Sequence, residues 1–314
     1  MWEVEASFAG YLSPEARDAM AQRLAERASA ETVRFGNSVE GRALVACRLP
    51  AAKPGAPKVL CAANIHGVEF VGTCVALGFF EALAAGVFAR LRERTEIWVV
   101  PSLNPDGYAR TFERAGVGGL AELRTNANGI DLNRNFPLPC GARPSRLPWA
   151  GSDRPGAATY RGPDPLSEPE TRALDALFAR ERFHAVLSLH STMGTLIPAR
   201  VLSRADFDGY RGLCREFAKA QRSFRYWPLH SRRFDVFAGE LEDHAHHAHG
   251  AWASCVEVFP LTHSVRQHLR APSLFWRFNP RRPEDYVAND VPGVAAFFSA
   301  ALDRARPVER GATA

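Results

Sequence analysis

The sequence predicts an α/β protein with a central mixed, mostly parallel, twisted sheet flanked by helices. Three observations carry that prediction. Four short apolar or β-branched runs, each bounded by turn residues, read as buried strands: "KVLCAANI" (58 to 65), "TEIWVVPSL" (95 to 103), "HAVLSLH" (184 to 190) and "WASCVEVF" (252 to 259). Helix-like segments separate them, and strands that alternate with helices build a sheet covered on both faces. A chain of 314 residues, 46% hydrophobic and 23% charged, buries such a core easily.

Taken in order, a first helix is expected over 14 to 30. The strand at 58 to 65 runs into a helix over 68 to 92, and the strand at 95 to 103 follows. The region 136 to 166 is crowded with Pro and Gly and reads as a long ordered loop of the kind that shapes a binding site. In "SEPETRALDALFARER" (167 to 182) Ser167 is the expected N-cap, with Pro169 in the first turn and Glu170 in the capping-box position. The segment 204 to 222 is the next helix, and a last one spans about 291 to 305. These elements are expected to form one domain over 1 to 314, with a motif-bearing core at about 57 to 260.

Several function classes are excluded early. The formal charge is +5 and the pI near 9.0, but the basic residues are nearly all arginine and are scattered, so no nucleic-acid partner is expected. The apolar run 72 to 89 carries Glu81 and three glycines, which suits a helix packed on a sheet better than a membrane span. The six cysteines show no paired C-x-x-C spacing, and the first twenty residues lack a basic start with an apolar core. A reducing compartment, the cytoplasm, is the expectation. Nothing assigns an oligomeric state.

The chemistry gathers at strand ends. In a parallel sheet ligands collect outside the carboxyl ends of the strands, and His66, His190 and Glu257 fall at or near such ends. In "VLCAANIHGVEFVG" (59 to 72), His66 and Glu69 leave the first predicted strand across a turn at Gly67. Two imidazoles and one carboxylate suit a single Zn2+ with a free fourth position, whereas magnesium and calcium favour oxygen. Alone, an H-x-x-E pair is a weak signal, and either histidine also fits as a satisfied core residue.

"LRTNANGIDLNRNFP" (123 to 137) adds Arg124, Asp131, Asn133 and Arg134, with Gly129 supplying a turn. Together with "NIHGVEF", "SLNPDGY" (102 to 108), "GPDPLSEPET" (162 to 171), "SLHS" (188 to 191) and "VEV" (256 to 258), this resembles the zinc metallocarboxypeptidase family, with the motifs in the family's order. The resemblance implies that His66, Glu69 and His190 are the zinc ligands and that Glu257 is the general base for a metal-activated water. It likewise implies that Arg124 stabilises the oxyanion, that Asn133 and Arg134 grip the substrate's terminal carboxylate, and that Asp131 orients the first histidine. The implied partner is a peptide with a free C-terminal carboxylate, and no membrane is involved. Physics agrees with these roles: an arginine pairs two-pronged with a carboxylate, and losing one oxyanion donor typically costs about 3 kcal/mol.

The chain departs from the family's pattern where a closing tyrosine usually lies. "RRFDVFAG" (232 to 239) offers Phe234 and Phe237, and Tyr226 is the nearest tyrosine. No inhibitory prosegment is evident, and "NANGIDLNRNFP" looks more like the bacterial branch that trims cell-wall peptides inside the cell. The acids Glu240, Glu242 and Asp243 lie near the expected specificity pocket and would favour a basic terminal residue such as Lys, Arg or diaminopimelate. "ELEDHAHHAHG" (240 to 250) holds His244, His246, His247 and His249, whose pairs 244/247 and 246/249 share helix faces; a solvated or pocket-lining segment is expected there in preference to a second metal site. Two rival functions share the motifs: a deacylase of N-acyl amino acids resembling succinylglutamate desuccinylases and aspartoacylases, and a catalytically silent peptide-binding module.

Overall fold

The computed structural model describes residue 8 and residues 10–139, 142, 147, 149–232 and 237–308. Among the described residues eight strands form one sheet: β1 (Glu31–Asn37), β2 (Ala43–Leu49), β3 (Lys58–Ala63), β4 (Glu96–Val100), β5 (Ala185–Ser191), β6 (Thr195–Pro198), β7 (Trp227–Pro228) and β8 (Trp252–Val258). Their order across the sheet is β1-β2-β4-β3-β5-β8-β6-β7. The four strands expected from the sequence are the central four, β4, β3, β5 and β8, and they are mutually parallel.

The edges differ from that expectation. β1 pairs antiparallel with β2, β2 with β4 and β6 with β8, while β7 adds a short parallel bridge to β6. β1, β6 and β7 escaped notice because they are half-exposed or only a few residues long, so their apolar content does not stand out; β2 is seven residues long and largely buried, and its apolar run is absent from the expected strands.

The central strands are buried on both faces, and their side chains alternate between two cores. In β3, Val59, Cys61 and Ala63 face one core while Leu60 and Ala62 face the other. The helices are α1 (Pro14–Ala28), α2 (Phe70–Ala84), α3 (Ala89–Arg94), α4 (Pro105–Glu113), α5 (Leu120–Arg124), α6 (Pro169–Glu181), α7 (Arg204–Ala220), α8 (Leu241–His247), α9 (Leu261–Arg270), α10 (Phe275–Phe278) and α11 (Pro283–Leu302). Aromatic residues of α2, α7 and α11, among them Phe79, Phe80, Phe217 and Phe297, fill the first core. Leu174 and Phe178 of α6 and Leu241 and Ala245 of α8 fill the second.

Some boundaries move. The helix expected over 68 to 92 breaks after Ala84, where Gly86 takes φ +77°, and resumes as α3. The last helix, expected over about 291 to 305, begins earlier, at Pro283, and carries Pro292 inside it. The first helix ends at Ala28 because Ser29 adopts the left-handed conformation with φ 53°. Ser167 does not cap α6: the cap position is Glu168, without a side-chain capping bond, and Ser167 Oγ donates to the Glu168 carboxylate at 2.9 Å. The long loop at 136 to 166 is confirmed in its described part as turns and irregular chain. Cys140 and Phe234 lie outside the described residues.

Candidate metal centre and active site

β3 ends at Ala63, and the chain turns sharply into α2. Asn64 takes the positive φ of 56° that makes the turn, and its side-chain amide donates to the His66 carbonyl at 2.9 Å. Gly67 serves close approach: a Cβ there would stand 2.6 Å from the Gly107 backbone. Its N–H donates to the Arg124 carbonyl at 3.0 Å, tying this turn to the end of α5.

Glu69 occupies the N-cap position of α2 but its side chain makes no capping bond. The cap is supplied from far along the chain by buried Asn279, whose Oδ1 accepts from Phe70 and Val71 N–H at 2.8 and 2.9 Å and whose amide donates to the Val68 carbonyl at 2.8 Å. The Glu69 carboxylate is thereby left to face the histidines. Asn279 belongs to the segment 274 to 290, to which the sequence attached no definite role.

His66, Glu69 and His190 meet as expected. His66 Nδ1 is 2.9 Å from Glu69 Oε1, His190 Nδ1 is 3.1 Å from Glu69 Oε2, and the two Nδ1 atoms are 3.1 Å apart. Around an ion with bonds of 2.0–2.1 Å the edge of a tetrahedron is about 3.3–3.4 Å. The two nitrogens, and each nitrogen with its nearer Glu69 oxygen, thus lie within about half an ångström of that spacing. The far side of each ring is engaged: His66 Nε2 donates to Asp131 Oδ1 at 3.1 Å, and His190 Nε2 lies 2.9 Å from Ser188 Oγ. A proton held at Nε2 leaves the Nδ1 lone pair for a metal. All three residues are buried, and they form a group that can hold one zinc ion.

Ser188 had no assigned role, yet its spacing from His190 places both on one face of β5. Gly72 matters too, because a Cβ there would stand 2.6 Å from the Leu189 carbonyl; its absence lets α2 press against β5 beside His190.

Asp131 serves two purposes through Oδ1, which also accepts from the Asn133 N–H at 3.0 Å and so starts the short 3-10 turn Leu132–Arg134. Its Oδ2 accepts from Arg124 Nε at 2.9 Å. Burial by itself would raise the Asp131 carboxyl, but Arg124 and His66 hold it well below the usual carboxylate range. Burial likewise opposes ionisation of Glu69, and His66 and His190 overcome it. Glu257 goes the other way: burial, then the negative charge of Glu69, push it up to about 8.

Glu257 stands beside His190 in the parallel register of β5 and β8. It lines, with His66, Glu69, His190, Arg124, Asn133 and Arg134, a cavity of about 270 Å3. Arg134 Nη1 donates to the Asn133 carbonyl at 2.6 Å and pairs with Glu240 Oε1 at 3.3 Å, Nη2 donates to the Trp149 carbonyl at 3.3 Å, and the guanidinium lies 4.9 Å from the Phe237 ring centroid. Asn133 Oδ1 accepts from the Leu241 N–H at 2.9 Å.

Two of the sequence motifs lock this loop in place. Asn126 Nδ2 donates to Glu168 at 2.7 Å, and Asn135 Nδ2 donates to the Arg161 and Asp164 carbonyls at 2.8 and 3.0 Å while its Oδ1 accepts from Thr171 Oγ1 at 2.7 Å.

Of the three acids near the expected pocket, Glu240 lines the cavity, whereas Asp243 Oδ1 accepts from the Arg200 N–H at 2.7 Å. Tyr226 sits in the core, its OH donating to Asp290 at 2.7 Å, and Phe237 is the described aromatic of "RRFDVFAG" that reaches the cavity. The histidines of "ELEDHAHHAHG" are not solvated as expected: His244, His246 and His247 are buried, and the pairs 244/247 and 246/249 do not share partners. His246 Nδ1 meets Tyr210 OH at 2.8 Å and His247 Nε2 the Arg200 carbonyl at 2.8 Å, while His244 and His249 converge on Asp175.

A family model described as "Zinc carboxypeptidase" matches residues 17–257. Mouse carboxypeptidase Z is 38% identical over 130 residues, covering 37% of this chain and 20% of that protein; the chain thus spans about a fifth of the relative's length. The structure of thrombin activatable fibrinolysis inhibitor superposes with a TM-score of 0.78 at 19% identity, covering 94% of this chain and 75% of the other. Carboxypeptidase A from Helicoverpa armigera gives 0.75 at 22% identity, with 94% and 74% covered. At such identities these two structures speak for the fold. Among the described residues no helix is long and apolar enough to cross a membrane.

Proposed function

The chain belongs to the zinc carboxypeptidase family, and we propose that it hydrolyses the C-terminal amide bond of peptides as one catalytic domain. The observation that carries this reading is the meeting of His66, Glu69 and His190 at one end of a cavity whose other lining includes Glu257, Arg124, Asn133 and Arg134.

Arg134, helped by Asn133, receives the substrate's terminal carboxylate, which selects a chain end over an internal bond. His66, Glu69 and His190 would hold the zinc ion, and the chemistry it would supply there is polarisation of a carbonyl and a lowering of the pKa of a water to about 7. Glu257 takes the proton of the attacking water and passes it to the leaving amine nitrogen. Arg124, fixed by Asp131, donates to the oxygen that gains charge in the tetrahedral state. Glu240, at the cavity wall beside Arg134, favours a basic terminal side chain.

A cytoplasmic setting is part of the proposal. It is supported by the five described cysteines, which are all unbridged, four of them buried.

The test is a mass-spectrometric screen of peptides with free and amidated C-termini, including cell-wall peptides, run beside N-acyl amino acids with and without a chelator. Zinc-dependent loss of single residues from free C-termini is the expected result. Turnover confined to N-acyl amino acids would assign the chain to deacylation, and zinc-independent binding without cleavage would assign it to peptide recognition.

A further inference from the structure

On the opposite side of the sheet from α2, Asp175 of α6, His244 of α8 and His249 just beyond it come together. His244 Nε2 and His249 Nε2 lie 2.7 and 2.8 Å from the same oxygen, Asp175 Oδ1. The two rings stand 5.0 Å apart at 80°, close to the 4.8 Å and 67° of His66 and His190. The donor set is also the same, two imidazole nitrogens and one carboxylate oxygen with ligand atoms within 4.8 Å of one another. The side chains of Asp175 and His249 are 33% and 14% exposed, which leaves a way in from solvent.

We propose that Asp175, His244 and His249 form a second site for a transition ion, with the donor set favouring zinc over calcium or magnesium. The ion takes the place of two imidazole protons, each of which moves from Nε2 to Nδ1.

Besides its exposure and its use of Nε2, the site differs from the first behind the rings. His66 and His190 have their outward nitrogens engaged, whereas His244 Nδ1 is buried with no hydrogen-bond partner among the described residues. Such outer partners typically account for 10–100-fold in metal affinity, so the second ion binds weaker than the first by roughly that factor.

An ion here ties α6 to α8 behind the cavity. The first residue of α8, Leu241, donates to Asn133, and the preceding Glu240 pairs with Arg134. Occupancy therefore bears on the position of the residues that face the cavity without any ligand touching substrate.

The experiment is a zinc titration of the protein already carrying one equivalent, read as bound zinc per chain and as melting temperature. The expected result is a second equivalent in the wild type and its loss in Asp175→Asn and His249→Gln, with the first equivalent kept. His249→Gln retains a side chain that can donate to Asp175, so it reports on ligation even where Asp175→Asn unfolds. The wild-type melting temperature rises as the second ion binds, and that of His249→Gln does not. A wild type that stops at one ion per chain overturns the proposal. So does a second ion that survives His249→Gln, as one held by His190, Cys255 and Glu257 would.

Discussion

Asp131 holds the His66 ring from behind, Oδ1 to Nε2 at 3.1 Å, and thereby decides which nitrogen of that ring faces Glu69 and His190. Because Asp131 is kept ionised, the proton shared with His66 stays on the imidazole.

Asp131→Asn is nearly the same size but lacks the charge. It should weaken zinc binding by roughly 10–100-fold, measured by competition with a chelator of known affinity. Unchanged affinity would remove Asp131 from the metal centre.

Replacing Glu257 by Gln should leave one zinc per chain in place and lower kcat by roughly 10²–10⁴-fold. The paired measurement of metal content and turnover separates loss of the base from loss of the ion. Near-normal turnover would defeat the assignment.

Arg134→Lys keeps the positive charge and discards the planar fork. Release from free C-termini should fall in kcat/KM by roughly 10–100-fold, while any slow cleavage of C-terminal amides stays as it was. Equal losses on both substrates would mean that Arg134 supports the loop and not the terminal carboxylate.

Glu240→Gln tests terminal-residue choice. The wild type should release Lys, Arg or diaminopimelate ahead of Phe and Leu, and the variant should lose that preference by roughly tenfold or more. Wild-type turnover of Phe and Leu that equals or exceeds that of the basic residues rejects the role.

Glu170 gives a stability prediction away from the chemistry. Burial raises its carboxyl to about 7, although Asn126 and the Val39 N–H donate to it. The folded state therefore holds a proton that the unfolded chain has given up between about pH 4.3 and 7. Stability from this group is complete below that window and is lost as pH rises through it. Relative to Glu170→Gln, the wild type should lose roughly 1–3 kcal/mol between pH 4.5 and 8, measured by urea unfolding at each pH. A difference that does not change with pH would contradict the shift.

What could be read in advance follows from spacing along the chain. β3, β5 and β8 are buried along nearly their whole length and are mostly apolar, as parallel strands covered on both faces are. The ligands announced themselves because they sit where such runs stop. The outer strands and Ser188 were harder: partial exposure dilutes the pattern of a strand, and a serine at the right period is common. The histidines of α8 misled for another reason. Helical spacing alone pairs 244 with 247, but those rings go to partners on other elements, and His244 shares its partner Asp175 with His249 across the end of the helix.

The sequence by itself determined the class of fold, the central strands and the identity of the groups at their ends, because burial and chain direction are local consequences of which residues follow one another. Only the tertiary structure decided that Asn279 caps α2 from about two hundred residues away and so frees Glu69, that Glu240 and not Asp243 lines the cavity, and that Asp175 joins His244 and His249. Those are contacts between elements that share no periodicity. They exist because packing brings distant backbone together and leaves each buried polar atom to find its partner there.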